Sequence, residues 1–244
     1  MSGHSKWNNI KNKKAKTDAQ KGKIFTKIGK EIAIAVRDGG ADPNGNSKLR
    51  DLIAKAKAAN VPNDNIDRAI KKASSADAVD YEEITYEGYG PSGVAVIVTA
   101  ATDNRHRTAG DVRHTFDKYG GNMGTSGCVS FMFTDKGIIV IEKEDADIDE
   151  DALMEASLEA GAEDFAADGD VYEIYTEPSD LGAVREALEA AGYTVASAEL
   201  DKIPQSYVTL DNPDDIKNMN LLIEHLEDND DVQDIFHNWE NCDD

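Results

Sequence analysis

The sequence predicts an α+β fold: an N-terminal three-helix domain followed by two ferredoxin-like α+β domains, one inserted in the other. Three observations lead there. Apolar residues recur at helical spacing through residues 23–73, and after residue 80 they give way to β-branched and aromatic runs. Between residues 137 and 202 the order is strand, helix, strand, strand, helix, strand, which is the ferredoxin-like βαββαβ pattern. The flanking segments 82–133 and 206–237 each hold strands and one helix, and together they make a second α+β unit. The expected domains are residues 1–80 (basic arm and helices), 81–134 with 204–244 (outer α+β domain) and 135–203 (inserted domain).

Each element has a local reason. Residues 1–22 carry no stable apolar period and read as an arm that orders on contact. Over residues 23–37, Phe25, Ile28, Ile32 and Val36 share one helical face, with Lys23, Lys27, Lys30 and Arg37 opposite, and Gly39-Gly40 stops the helix. Residues 47–59 repeat the pattern with Leu49, Leu52, Ile53 and Ala56. A third helix starts near Asn63, capped by Asn63 or Asp64, and uses Ile66, Ile70 and Ala73. Residues 74–80 form a linker. Runs 82–89 and 93–101 flank a Gly-Pro-Ser-Gly turn and read as a hairpin. Helix 104–119 turns Ala109, Val112, Phe116 and Tyr119 inward, and a glycine-rich loop (120–127) leads to a strand at 128–133. The inserted domain then reads as strand 137–142, helix 150–160, strands 163–167 and 171–176, helix 180–191 and strand 194–202. Strand 206–210, helix 213–227 and strand 231–237 close the outer domain.

Composition narrows the function. The 244 residues include 26 Lys/Arg and 48 Asp/Glu, a net charge of −22, with 40% apolar and 30% charged residues: polar, but able to bury a core. Cys128 and Cys242 form neither a CxxC pair nor a disulfide framework, which fits a reducing cytosol. The longest apolar run, Val94 to Ala101, is too short to span a membrane, and no signal-peptide stretch opens the chain. The expected location is cytoplasmic. The total charge hides a split. Residues 1–80 hold 17 Lys/Arg against 9 Asp/Glu, a net of +8, whereas residues 81–244 hold 9 against 39, a net of −30. Such asymmetry points to a basic arm that meets an anion, carried on a body that avoids one.

Gly88-Tyr-Gly90-Pro-Ser-Gly93 matches GxGxxG but lies between two strands, so it reads as a turn and not as a dinucleotide loop. Asp145-x-Asp147-x-Asp149 resembles the start of a calcium loop, but Glu150 and Ala156 stand where Gly and Glu are required; acids before a helix N-terminus are the simpler account. The histidines His4, His106, His114, His225 and His237 have no zinc spacing with the cysteines. No nucleophile signature appears. No enzyme activity, cofactor or metal is expected.

The residues suited to nucleic acid lie in two places. The arm offers Lys6, Lys11, Lys13, Lys14 and Lys16, with His4 and with Trp7 as a stacking surface; Lys23, Lys27 and Lys30 give a second row. Helix 104–119 offers Arg105, Arg107, Arg113 and His114, followed by small residues whose backbone N–H groups can approach an anion. The competing reading pairs these arginines with Asp111 and Asp117. The helix beginning at Asn63 is a poor reading helix, because Asp64 and Asp67 at its start repel phosphates.

These residues also carry a resemblance. Ser2-Gly-His-Ser-Lys-Trp7, Ile10-Lys-Asn-Lys-Lys-Ala15, Gly22-Lys-Ile-Phe-Thr-Lys27 and the Gly-Gly-Ala-Asp-Pro43 segment resemble the YebC family. So do Asn60-Val-Pro-Asn-Asp-Asn-Ile-Asp-Arg68, Thr102-Asp-Asn-Arg-His-Arg-Thr108, Arg113-His114 and Tyr119-Gly-Gly-Asn-Met-Gly124. The resemblance implies a helical domain followed by two α+β domains and no accepted catalytic activity. It also implies DNA-binding transcriptional regulation in bacterial members and translational activation in a mitochondrial one. Some bacterial members are linked to ribosomes and to translation of proline-rich stretches. The favoured expectation is a non-enzymatic regulator of gene expression that docks on ribosomal RNA and assists elongation through proline-rich stretches. The first alternative is a DNA-binding transcriptional regulator. The others are an interaction module whose acidic domains bind a basic protein, and a hydrolase lacking a recognisable signature.

Overall fold

The long first helix sets the architecture because it is buried on more than one side. In this computed structural model, which describes residues 18–143 and 148–242, α1 runs Asp18–Gly39 and so begins inside the segment expected to be an arm. Ile28, Ile32, Ala35 and Val36 are buried, and so are Lys30 and Ile34, which the helical period puts on another side. α2 (Ser47–Ala58) buries Leu49, Leu52 and Ala56, and α3 (Asn63–Ala73) buries Ile66. Asn46 joins α1 to α2: its Nδ2 donates to Ala35 O and Gly40 O at 2.8 Å, and its Oδ1 accepts from Leu49 N at 3.0 Å. The expected cap of α3 is corrected. Pro62 occupies the N-cap position and no side chain caps the helix; proline has no N–H to lose there.

The outer sheet has the order β3-β1-β2-β8, all antiparallel. β1 (Glu82–Tyr89) and β2 (Ala95–Thr102) pair from Glu82↔Thr102 to Tyr89↔Ala95. The turn between them places Ser92 and Gly93 at φ 53° and 81°, which accounts for glycine at its end. β3 is short (Asn122–Met123), and β8 (Val232–His237) flanks β2. α4 (Arg105–Lys118) and α7 (Pro213–Asp228) cover one face, where Val94, Val96 and Val98 meet Val112, Phe116, Met219, Leu222 and Leu226. The other face, Ala95 and Ile97, is closed by Val129, Phe133 and Phe236. β2 is therefore buried along nearly its whole length. In chain order this domain is ββαβ before the insertion and αβ after it.

The inserted segment has the ferredoxin-like order. β4 (Phe133–Glu142), α5 (Glu150–Glu159), β5 (Asp164–Asp168), β6 (Val171–Thr176), α6 (Leu181–Ala190) and β7 (Ser197–Pro204) form a sheet ordered β5-β6-β4-β7. Ile139, Ile141 and Ile174 pack on Leu153, Leu181, Val184 and Leu188 of the two helices. The chain divides into two compact units. The described residues of one are 57–59, 135–143 and 148–203; those of the other are 18–56, 60–134 and 204–242.

Two expected strands are corrected. Residues 130–132 form a 3-10 turn and the strand starts at Phe133, because the N–H groups of Val129 and Ser130 donate to the Glu87 carboxylate and not to a neighbouring strand. The strand expected at 206–210 reduces to one parallel bridge, Val208 with Trp239. Side-chain bonds take over its role: Leu210 N donates to Asn241 Oδ1 at 2.9 Å and Asn238 Nδ2 donates to Ser206 O at 3.1 Å.

Candidate nucleic-acid interface

α4 is placed by a buried polar node at its start. Asn104 Oδ1 accepts from Arg107 N and caps the helix, while Thr102 Oγ1 accepts from Asn104 N. Asp231 sits beneath this turn with its side chain 10% exposed. Its Oδ1 accepts from Lys30 Nζ at 2.6 Å, and its Oδ2 from Arg107 Nη2 at 2.7 Å, Thr108 Oγ1 at 2.8 Å and Thr102 Oγ1 at 3.2 Å. Burial pushes this carboxyl up, but Lys30, Arg107 and Thr108 outweigh it and hold the pKa at about 2.

The node changes the meaning of the second lysine row. Lys23 Nζ donates to Asp228 Oδ1 at 2.8 Å, Lys27 Nζ to Glu227 O at 3.0 Å and Lys30 Nζ to Asp230 O at 2.8 Å. Three lysines at helical spacing on α1 thus meet the C-terminal end of α7, where carbonyls and the helix dipole favour positive charge. Lys30 is 9% exposed, so its ammonium is not a phosphate contact; the sequence reading of this residue is corrected. Lys23 and Lys27 are half-buried on the same α7 end.

Along α4 the expected residues divide. Arg107 pairs with Asp103 at 2.8 Å as well as with Asp231, so its charge is engaged. Arg105, His106, Arg113, His114 and Lys118 are exposed. Arg105 and Arg113 make no ion pair among the described residues, and Arg113 pairs with neither Asp111 nor Asp117. Lys118 lies over the Tyr119 ring at 5.0 Å. His4, Lys6, Trp7, Lys11, Lys13, Lys14 and Lys16 lie outside the described residues.

The glycine-rich loop does bind an anion, but an internal one. Glu87 is 5% exposed; its Oε1 accepts from Gly127 N at 2.7 Å and its Oε2 from Val129 N at 2.9 Å and Ser130 N at 2.8 Å. Burial raises the Glu87 pKa, and these three donors more than reverse that, leaving it below its ordinary value. Nearby, a side chain at Gly121 would meet Tyr89 O at 2.6 Å, so the close approach of loop and β1 requires glycine. Burial, then the Glu87 charge, raise the Cys128 thiol, which suits a packed and unreactive cysteine. We expect Glu87→Gln to cost about 2 kcal/mol, because an amide NH₂ facing three buried N–H groups leaves donors unsatisfied. Urea denaturation at pH 7 checks the magnitude. Limited proteolysis checks the place, since cleavage should appear first within residues 124–131. Asp231 and Glu87 were not singled out from sequence. Both stand in ordinary acidic surroundings, and the strand that carries Glu87 also holds Glu82, Glu83 and Thr85, so no local signal marks either residue.

The remaining motifs resolve simply. Gly88 to Gly93 is the end of β1 and the hairpin turn that follows it. Asp149 caps α5 by accepting from Asp151 N and Ala152 N, while Asp145 and Asp147 lie outside the described residues. Among the described residues no cluster of His, Cys, Asp and Glu is placed to hold a metal ion, and no helix is long and apolar enough to cross a membrane.

Comparisons with known proteins fit this geometry. The family model described as the TACO1/YebC protein N-terminal domain matches residues 5–76, and that of the TACO1/YebC second and third domain matches residues 81–239. A protein of Acetivibrio thermocellus named "Probable transcriptional regulatory protein" is 62% identical over 240 residues, spanning 98% of this chain and 99% of its own. A Ruminiclostridium cellulolyticum protein of the same name is 61% identical over 241 residues, spanning 98% of this chain and 97% of its own. The crystal structure of a conserved hypothetical protein from Aquifex aeolicus superposes with a TM-score of 0.82 at 44% identity, covering 93% of each chain. With both domain models matched in order and relatives aligned along nearly its whole length, the chain belongs to the TACO1/YebC family.

Proposed function

We propose that this protein is a non-enzymatic, cytoplasmic regulator of gene expression that binds nucleic acid through its N-terminal arm and the exposed side of α4, and that its target is structured RNA on the ribosome. The observation that carries this reading is the pair Arg105 and Arg113. They are exposed and without ion pairs among the described residues, in a segment whose net charge is −30. Solvent-facing guanidinium groups that no carboxylate engages among the described residues are well suited to phosphate. An arm with Trp7 and His4 favours irregular RNA, where unpaired bases are free to stack. The acidic body limits docking to targets that accept only the basic side. The resemblance noted in the sequence supports a role in elongation through proline-rich stretches. A second reading, DNA-binding transcriptional regulation, is favoured by the names of the relatives.

Crosslinking in growing cells, denaturing purification and sequencing of the attached nucleic acid separates the two readings. Enrichment of one ribosomal RNA region is expected; enrichment of promoter DNA would replace RNA by DNA as the target. With the enriched sequence as probe, Arg105→Ala/Arg113→Ala should lower the magnitude of the slope of log K against log salt by about 1.4–1.8, the value for two lost phosphate contacts. An unchanged slope removes α4 from the interface.

A further inference from the structure

The lysine row of α1 is engaged by the fold, and the same sorting of charges continues through the helices beside it. Among the described residues, Lys23, Lys30, Arg37, Lys48 and Lys55 are each in an ion pair. Arg68, Lys71 and Lys72 of α3 differ: all three are exposed and make no ion pair among the described residues. α3 turns Ile66 inward, with Ala69, Ile70 and Ala73 half-buried. The helical period puts Arg68, Lys71 and Lys72 on the opposite side, at i, i+3 and i+4, where neighbouring Cβ atoms are about 5–6 Å apart. Asp64 and Asp67 precede Arg68 and Lys71 by one turn, yet neither pairs with them. Nor do the lysines cap the helix. Ser74 Oγ donates to Ile70 O at 2.9 Å and Ser75 Oγ to Lys72 O at 2.7 Å, so serine hydroxyls and not ammonium groups serve its last carbonyls.

We infer that the C-terminal half of α3 is a further phosphate-contact surface, on which Arg68, Lys71 and Lys72 hold the backbone of the nucleic acid that the protein binds. The inference rests on the proposed nucleic-acid function and adds a site to it. The order of charges along α3 selects the ligand and its place. Asp64 and Asp67, the acids that make the helix a poor base reader, stand in its first half, and the cations occupy the second. A phosphate strand is repelled from the start of the helix and drawn to its end, so it crosses α3 there and its bases are not read. The three positions cover about 6 Å of helix axis, and one strand of nucleic acid presents a phosphate about every 3.4 Å of its own axis. Side chains this long therefore reach two or three successive phosphates. Arg68 has the fork for a bidentate contact, and the two lysines act as point charges. No carboxylate has to be displaced first, whereas Arg107 would have to leave Asp103 and Asp231, and Lys23 would have to leave Asp228.

The test is binding of the full-length protein to an end-labelled structured ribosomal RNA fragment, to a duplex DNA of equal length and to phosphatidylserine vesicles, between about 50 and 200 mM salt. Arg68→Gln/Lys71→Gln should lower the magnitude of the slope of log K against log salt by about 1.4–1.8 on whichever nucleic acid the parent binds, and weaken binding about 25-fold near 0.1 M salt. Glutamine has nearly the helix propensity of the residues it replaces, so the urea midpoint should match the parent's. The charge-keeping pair Arg68→Lys/Lys71→Arg should hold the parent slope. The inference alone is overturned if the parent binds and the glutamine pair leaves its slope unchanged; a lower urea midpoint in that case would assign the two cations to helix stability. It is also overturned if the charge-keeping pair loses as much slope as the glutamine pair. A parent that binds neither nucleic acid, or binds only the vesicles, overturns the proposed function together with this inference. A slope lowered by the glutamine pair but untouched by Arg105→Ala/Arg113→Ala keeps this surface and removes α4.

Discussion

Asp231→Asn will destabilise the protein by about 3 kcal/mol, because it strands a buried ammonium. Lys30 enters the node from α1 and is held by Asp231, Ala101 O and Asp230 O. Removing the carboxylate charge leaves the lysine desolvated with neutral acceptors only. Lys30→Met alone should cost less, since Asp231 keeps Thr102, Thr108 and the half-exposed Arg107. The double variant Lys30→Met/Asp231→Asn should be more stable than Asp231→Asn, and urea midpoints of the three variants give that coupling directly. The pH dependence has a defined sign. The Asp231 pKa falls from its ordinary value of 3.8 to about 2 in the folded protein, so its contribution is present above pH ~4 and is lost as pH drops from there through 2. The Asp231→Asn variant should therefore show a flatter acid limb than the parent between pH 4 and 2. An equally steep limb would mean that other carboxylates dominate acid unfolding.

Reversing two arm charges, Lys13→Glu/Lys14→Glu, should have the largest effect on binding. Each phosphate contact contributes about 0.7–0.9 to the slope of log K against log salt, so loss of two lowers its magnitude by about 1.4–1.8. At 0.1 M salt that corresponds to a loss of at least about 25-fold, and repulsion by the new carboxylates adds to it. The unfolding free energy from urea denaturation is the control: a fall of more than about 0.5 kcal/mol would place these lysines in the folded core instead of at the interface. An unchanged slope would remove the arm from the binding surface.

Much of the fold is written in local pattern. The period change after residue 80, the Pro-Ser-Gly turn of the first hairpin and the ferredoxin-like order from β4 to β7 can be read without a tertiary partner. Backbone geometry and side-chain alternation act over a few residues, so the sequence carries them directly. The basic character of the arm and of α4 is legible for the same reason: charge is a property of the residue itself.

What each charge does was decided elsewhere. Lys30 looks like Lys27 in sequence, yet it is buried because Asp231, 201 residues away, arrives beneath it. Residues 128–133 look like a strand, yet the N–H groups of Val129 and Ser130 turn to Glu87, about 40 residues earlier. The glycine-rich loop has the composition of an anion cradle, and the fold fills it with its own carboxylate. In all three cases a buried polar group must find a partner, and which partner it finds depends on the chain's path through space. The sequence by itself determined most of the elements, their order and the stretch of chain in which positive charge collects. The tertiary structure decided which of those charges are consumed within the fold and which, like Arg105 and Arg113, remain exposed.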